Sequence, residues 1–376
     1  IYESSHEAGA ALGRIPICLN LCRSCSFLYQ NPRLTKACLS AYYSENKGAS
    51  GSTYYETASG SRFEKVNSRR VNFFESNWSV PEGAFSRLLD VGCGTGAFLS
   101  SIQQANTYLV GLEPSRHSGF VAKANGIDVF HAELERNELP DGSFDVVFCH
   151  MVLEHVRDLD RSTEALRRLL KAEGKLFLEV PDSARPEPQV GEFFGFEHLS
   201  HFTVGSISKL LEKHAMKIVD IVPDDGDPRL RVCATLSNTS LRPGSSPNDS
   251  DKLKSVIATY RDQKEILQGG VLKTLTEKAS FWQSNKLKVA LYGAGFHSMN
   301  LLSIGNFEKS ICAVIDSDPK KQGTLFINWT VLPPEAIDGL EIDVVLVSSK
   351  AFQNEICRKL EKYQRKQSFK IVKIYE

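Results

Sequence analysis

The chain holds 376 residues, 41% of them apolar and 24% charged, the balance of a globular chain with room for two or three domains. Lys plus Arg and Asp plus Glu number 45 each, which argues against a basic surface for nucleic acid or an acidic membrane. No apolar run approaches the roughly 18 residues of a membrane span, and no signal-peptide pattern opens the chain. Nine scattered cysteines point to reduced thiols and a cytoplasmic setting rather than a disulfide framework.

The chain opens on Ile1 rather than Met, so the expectation is that upstream residues are missing. Residues 1–60 contain Cys18, Cys22, Cys25 and Cys38. Cys22 and Cys25 have the spacing of a zinc knuckle, in which two thiolates of one tight turn share a tetrahedral ion. Such a site needs four ligands. Cys18, Cys38 or His6 would complete it at irregular spacing, and free thiols in a small turn-rich domain are the other reading. Ser50-Gly51-Ser52 then leads to Tyr54-Tyr55 and a basic, helical stretch through Arg62, Lys65, Arg69 and Arg70.

Residues 61–225 read as alternating strands and helices, hence a mostly parallel doubly wound α/β sheet. At its head, Leu88-Leu89-Asp90-Val91-Gly92-Cys93-Gly94-Thr95-Gly96 runs from an apolar strand into a turn with glycine at every second position. Glycines serve where the backbone turns sharply and a ligand comes close. The spacing is not that of a dinucleotide turn, and Asp90 places a carboxylate at the strand end, which suits a ligand with a cationic amino group. Tyr108 to Leu112 is the second strand, ending in Glu113, 23 residues after Asp90. An acid there accepts hydrogen bonds from ribose hydroxyls.

This series resembles, in order from about Phe63 to Val222, the motifs of class I S-adenosylmethionine (SAM)-dependent methyltransferases. The resemblance implies SAM as cofactor, held by Asp90, Gly92, Cys93, Gly94, Gly96, Glu113 and Pro114. It places Ala132 and Glu133 beside the adenine, and His150, at the end of the strand from Ser143, toward cofactor or substrate. Leu153-Glu154-His155-Val156 follows, with His155 either on a helix surface or in the chemistry. After the fifth strand, Gly174 to Val180, comes Gly195-Phe196-Glu197-His198-Leu199-Ser200-His201. A His beside a carboxylate is a proton-transfer candidate.

That stretch resembles the Glu-His motif of three-domain bacterial sugar C-methyltransferases, in which the His is the base. The family has a Tyr two residues before the Glu; here Gly195 stands there. The resemblance implies His198 as base oriented by Glu197, with His155 and Tyr55 (or Tyr54) as partners of an enolate. It also makes residues 1–60 a partial zinc-ribbon-like or lid region with Cys22 and Cys25 as zinc ligands. Helix capping by Glu197 and His198 is the structural alternative.

Residues 226–285 read as a linker with one strand, Leu230 to Leu236, and connecting helices. Residues 286–376 read as a second, Rossmann-like domain: a strand into Gly293-Ala294-Gly295, then a strand ending in Asp316. Ser298 occupies the third glycine position, so the turn reads as helix–sheet packing more than as a nicotinamide-nucleotide site. In the resembling family this domain helps hold a sugar nucleotide, which makes Phe296, His297 and Lys321 candidate contacts.

The expected function is methyl transfer from SAM to a sugar or sugar nucleotide, with C-methylation of a keto-sugar as its sharpest form. O- or N-methylation of another small metabolite, a non-catalytic SAM-binding protein, and an NAD-dependent oxidoreductase built on the C-terminal glycines are the alternatives. Oligomeric state is not legible.

Overall fold

The apolar runs between Ser86 and Leu236 fold, in a computed structural model of the chain, into one seven-stranded sheet. The structure describes residues 1–7, 14–38, 61–80, 83–188, 193–223, 228–237, 250–305, 307–319, 321–349 and 352–375. By internal contacts it divides into two units, Ile1–Glu187 with Phe194–Thr259, and Pro188–Phe193 with Tyr260–Glu376.

In the first unit, β1 (Tyr2–Glu7), β2 (Arg14–Leu21) and β3 (Leu28–Gln30) form an antiparallel sheet. Helix α1 (Ser61–Asn77) follows. Then come β4 (Ser86–Val91), α2 (Ala97–Ser101), β5 (Thr107–Leu112), α3 (Arg116–Ala124), β6 (Asp128–Phe130) and β7 (Phe144–His150). The chain continues through α4 (Leu159–Leu169), β8 (Leu170–Pro181), β9 (Ser200–His201), α5 (Val204–Lys213), β10 (Met216–Pro223) and β11 (Arg229–Leu236).

The large sheet has the order β10-β11-β8-β7-β4-β5-β6. Strands β6, β5, β4, β7 and β8 are parallel, and β11 is antiparallel to both its neighbours. The central strands are apolar on both faces because helices cover both. Leu89, Val91, Val147 and Cys149 pack with Leu166, Leu169, Ile207 and Leu211. Leu88, Val146, Phe148 and Phe177 pack with Phe74, Phe98 and Leu99. The strand read from sequence as part of a linker is β11, inserted between β8 and β10, so this sheet extends past residue 225.

The two-residue β9 joins the N-terminal sheet rather than the large one: Leu28 pairs with His201 and Tyr29 with Ser200. Gln30 N donates to Leu199 O at 3.1 Å. The short N-terminal sheet therefore holds the loop that carries Glu197 and His198.

Helix α6 (Ser250–Ser284) carries the chain into the second unit. There β12 (Val289–Tyr292), α7 (Phe296–Gly305), β13 (Ile311–Ile315), β14 (Leu325–Phe326), β15 (Trp329–Leu332), β16 (Val344–Val347), α8 (Gln353–Gln364) and β17 (Lys370–Lys373) follow. The sheet order is β14-β15-β13-β12-β16-β17, parallel except for the β14 edge, which is a Rossmann-like arrangement. Val289, Leu291 and Leu346 pack on Leu275 and Trp282, and Ala290, Val345 and Val347 on Ile356 and Leu360.

Candidate cofactor and acceptor site

Both elements of the expected cofactor turn lie at the carboxyl edge of the first unit's sheet, where open α/β sheets bind ligands. The turn after β4 needs glycine at three places, since Gly92, Gly94 and Gly96 have φ of 71°, 54° and 76°. A Cβ on Gly92 would sit 2.5 Å from Val152 Cγ2, and one on Gly96 2.1 Å from Ile127 Cδ1. The Met151–His155 turn thus rests directly on the glycine turn.

Glu113, at the end of β5, spans the neighbouring turns: Gly94 N donates to its Oε2 at 3.0 Å and Ser115 N to its Oε1 at 2.7 Å. Asp90 is 4% exposed. Burial pushes its carboxyl up to about 7, with Arg70 opposing and Glu113 adding to the rise. An ammonium group placed beside it would restore the carboxylate. A buried acid that needs a cation, a second buried acid at the next strand end and a turn with no room for side chains leave a place where the amino and ribose groups of SAM would fit.

The other residues expected around the cofactor divide. Cys93 is buried, its thiol pushed up by burial, and its Sγ would lie 2.4 Å from a Cβ on Gly111, so it packs the turn. Pro114 is exposed. Ala132 packs against the core, whereas Glu133 is exposed and paired with Lys36 at 2.9 Å. His150 lies with its ring 4.7 Å from that of Phe98, and its buried Nδ1 has no partner among the described residues. Burial, with Arg70 adding, pushes His150 down to about 3.

Glu197 and His198 are brought to His155. His155 Nδ1 lies 3.1 Å from the backbone carbonyl of Glu197. A carbonyl only accepts, so Nδ1 carries the proton and Nε2 the lone pair when the ring is neutral. The His155 and His198 rings are 4.9 Å apart and near perpendicular. Leu199 N and Ser200 N both donate to Glu154 O, at 2.7 and 3.2 Å. The turn after β7 therefore grips the backbone on both sides of His198. Helix α5 is capped by the Thr203 and Ser206 pair, so Glu197 and His198 are not its cap. Tyr54 and Tyr55 lie outside the described residues.

Two groupings here escaped the sequence reading. Glu154 is fully buried, with its Oε1 3.8 Å from His155 Nε2. Glu179 on β8, also fully buried, receives Arg70 Nε at 2.9 Å, Arg231 Nε at 2.8 Å and Arg229 Nη1 at 3.4 Å. The signal for Glu179 was present: a charge inside an apolar run read as a buried strand must be paired.

At the expected zinc knuckle, Cys22 N donates to Phe27 O and Ser26 N to Cys22 O, a tight turn. Hydrogen bonding from Ser24 leads the causes that draw the Cys22 thiol down to about 6. Among the described residues, the group of three with metal-ligating atoms mutually within 4.8 Å is Glu154, His155 and His198, not a cysteine set.

In the second unit, the acid after β13 is occupied. Asp316 accepts from Ala294 N at 2.8 Å, Asp318 N at 2.9 Å and Lys321 Nζ at 3.1 Å. Ser298 Oγ lies 2.5 Å from Gly293 O and 2.6 Å from Ser348 Oγ. The turn is filled by its own hydroxyls. His297 Nε2 bonds the Tyr375 hydroxyl, and the Phe296 side chain lies outside what is described.

Strand order, the reversed strand β11 and the Gly-x-Gly-x-Gly turn at the carboxyl edge are those of the class I methyltransferase fold. Residues 60–221 match the family model described as a methyltransferase domain, and residues 285–371 match one described as C2185-like, N-terminal. Among curated proteins, the chain is 26% identical over 253 residues to the C-methyltransferase NovU of Streptomyces niveus, covering 63% of this chain and 60% of that protein. It is 32% identical over 123 residues to a ubiquinone biosynthesis O-methyltransferase of Pseudomonas entomophila, covering 31% of this chain and 51% of the relative. The chain thus spans between half and three fifths of the length of these relatives. A SAM-dependent methyltransferase structure from Mesorhizobium loti aligns at 22% identity and a TM-score of 0.36, covering 41% of this chain and 93% of that one.

Proposed function

We propose that the chain transfers a methyl group from SAM to a small acceptor, and that the acceptor is a sugar or sugar nucleotide methylated at a carbon beside a ketone. The observation that carries this reading is the pinned pair of imidazoles, His155 and His198, on the loop whose Val152 rests against Gly92. SAM, when bound, supplies an electrophilic methyl on a sulfonium. The protein's part is to align the acceptor, exclude water and manage one proton.

In this reading His198 takes the proton from the acceptor carbon, and the Glu197 carbonyl orients His155 beside it. The negative charge that develops on the acceptor oxygen is met by groups on the same edge, with Tyr55 as a further donor carried by the family resemblance alone. Asp90 holds the amino group of the cofactor and Glu113 its ribose. The match to a protein named as a C-methyltransferase supports carbon as the acceptor atom; the sugar rests on the resemblance of the Glu197-His198 stretch. Zinc at Cys22 and Cys25 needs further ligands from outside the described residues, and metal analysis of the purified chain tests it.

Calorimetric titration with SAM and with NAD is the test. SAM binding, lost in Asp90→Ala and Glu113→Ala and unmatched by NAD, supports the reading. A screen of nucleotide-linked keto-sugars with His198→Ala as control then tests the acceptor. NAD binding without SAM binding overturns it.

A further inference from the structure

Glu154 is 0% exposed, and neither of its carboxyl oxygens has a hydrogen-bond partner from another described residue. The atom nearest in chemical terms is His155 Nε2, 3.8 Å from Oε1. That nitrogen bears a lone pair, because Nδ1 spends its proton on the Glu197 carbonyl. A carboxylate would thus face a lone pair in a buried site, with its own backbone N–H as the one donor acting on it. One proton on the carboxyl removes the conflict, with Oε1 3.8 Å from the lone pair, too long for a hydrogen bond in this arrangement.

We propose that Glu154 is a positioning residue that works as an uncharged carboxylic acid on the side of His155 Nε2. It thereby keeps the His155–His198 pair neutral. The proposal rests on the methyl-transfer reading for its catalytic consequence, but not for the protonation state itself. The groups around Glu154 agree with it. Burial is the main cause that pushes its carboxyl up to about 8; its own backbone N–H opposes the rise, Glu179 adds to it, and Arg229 and Arg70 oppose it. Burial keeps Cys149 nearby a neutral thiol, and ring nitrogens of His155 and His198 lie within 4.8 Å of the Glu154 carboxyl.

The consequence is electrostatic. An anion at this place would raise the affinity of both imidazoles for protons and so increase the share of each that is already charged. It would also oppose the negative charge that builds on the acceptor oxygen. An uncharged acid does neither.

The test is a histidine-ring NMR titration of the whole chain, wild type against Glu154→Gln. The neutral amide mimics the neutral acid. The expected result is that the pKa values of His155 and His198 stay within about 0.3 units of wild type, while the alkaline limb of the wild-type pH–kcat profile, near pH 8, flattens in the variant. If Glu154 is charged, its removal lowers both histidine values by about 1 unit or more, and the proposal falls. Should Glu154→Gln fail to fold, infrared difference spectra of selectively labelled wild type between about pH 6 and about pH 9 decide. Loss of a protonated glutamic carboxyl band supports the proposal, and no such band overturns it. Zinc or manganese retained stoichiometrically by wild type after dialysis and lost in Glu154→Gln or His198→Ala also overturns it, since the carboxyl would then be a ligand. SAM titration of the wild type runs alongside: its failure sinks the methyl-transfer reading and leaves the histidine titration to judge Glu154.

Discussion

His155 donates from Nδ1 to the backbone carbonyl of Glu197 at 3.1 Å, joining two loops 42 residues apart. One loop leaves β7 beside the glycine turn; the other carries His198. Their alignment depends on this bond and on the two amides donated to Glu154 O. His155→Ala removes the side-chain tie and leaves a part-buried carbonyl. We expect kcat to fall about 10²-fold, with SAM affinity within a few-fold of wild type. Steady-state kinetics beside SAM titration checks both halves.

His198→Ala removes the proposed base itself. Loss of a positioned general base costs roughly 10²–10⁴-fold in rate, and the expected loss lies in kcat rather than in cofactor binding. A variant with unaltered kcat on the identified acceptor would exclude His198 from the chemistry.

The cofactor turn makes a steric prediction. Gly96→Ala places a methyl 2.1 Å from Ile127 Cδ1 and 3.3 Å from Ala122 Cβ, at a φ of 76°. Overpacking and left-handed strain each cost about 1–3 kcal/mol, so thermal unfolding should drop by several degrees and SAM binding should weaken. Gly195→Tyr is the contrast. A Cβ there meets nothing within 4 Å among the described residues, so this substitution, which supplies the family's hydroxyl, should stay within about 0.5 kcal/mol of wild-type stability.

Glu179 predicts the largest loss of stability. Removing the carboxylate takes from Arg70, Arg229 and Arg231 the buried anion they share. Breaking a buried pair from one side costs about 3–5 kcal/mol. Denaturant unfolding of Glu179→Ala near neutral pH measures it.

The pH dependence of stability separates two sets of groups. The raised carboxyl of Glu154, moved from 4.5 to about 8, binds more protons folded than unfolded between those values. Its contribution to stability is therefore full below 4.5 and lost as pH rises to about 8. His150 and His201, both pushed down to about 3 by burial, bind fewer protons folded than unfolded. Their contribution is present above 6.5 and lost as pH falls toward 3. Each group contributes a slope of at most about 1.4 kcal/mol per pH unit. Glu154→Gln should therefore gain stability relative to wild type as pH rises from about 5 to about 8, read from unfolding curves at a series of pH values.

Local pattern carried much of this protein. Gly92, Gly94 and Gly96 with Asp90 and Glu113 were legible because a tight turn and a strand end impose residue types at short, regular spacing. The strands of the parallel sheet were legible because burial on both faces demands continuous apolar runs. Tertiary structure alone decided three things. It moved β11 out of a linker and into the sheet, since an antiparallel partner is chosen by a neighbour far away in sequence. It gave β9 to the N-terminal sheet, an event two residues long with no periodicity to announce it. And it set Glu154 against His155, and Glu179 among three arginines from α1 and β11. The charge state of a buried carboxyl depends on what surrounds it in space, and sequence records only what adjoins it along the chain.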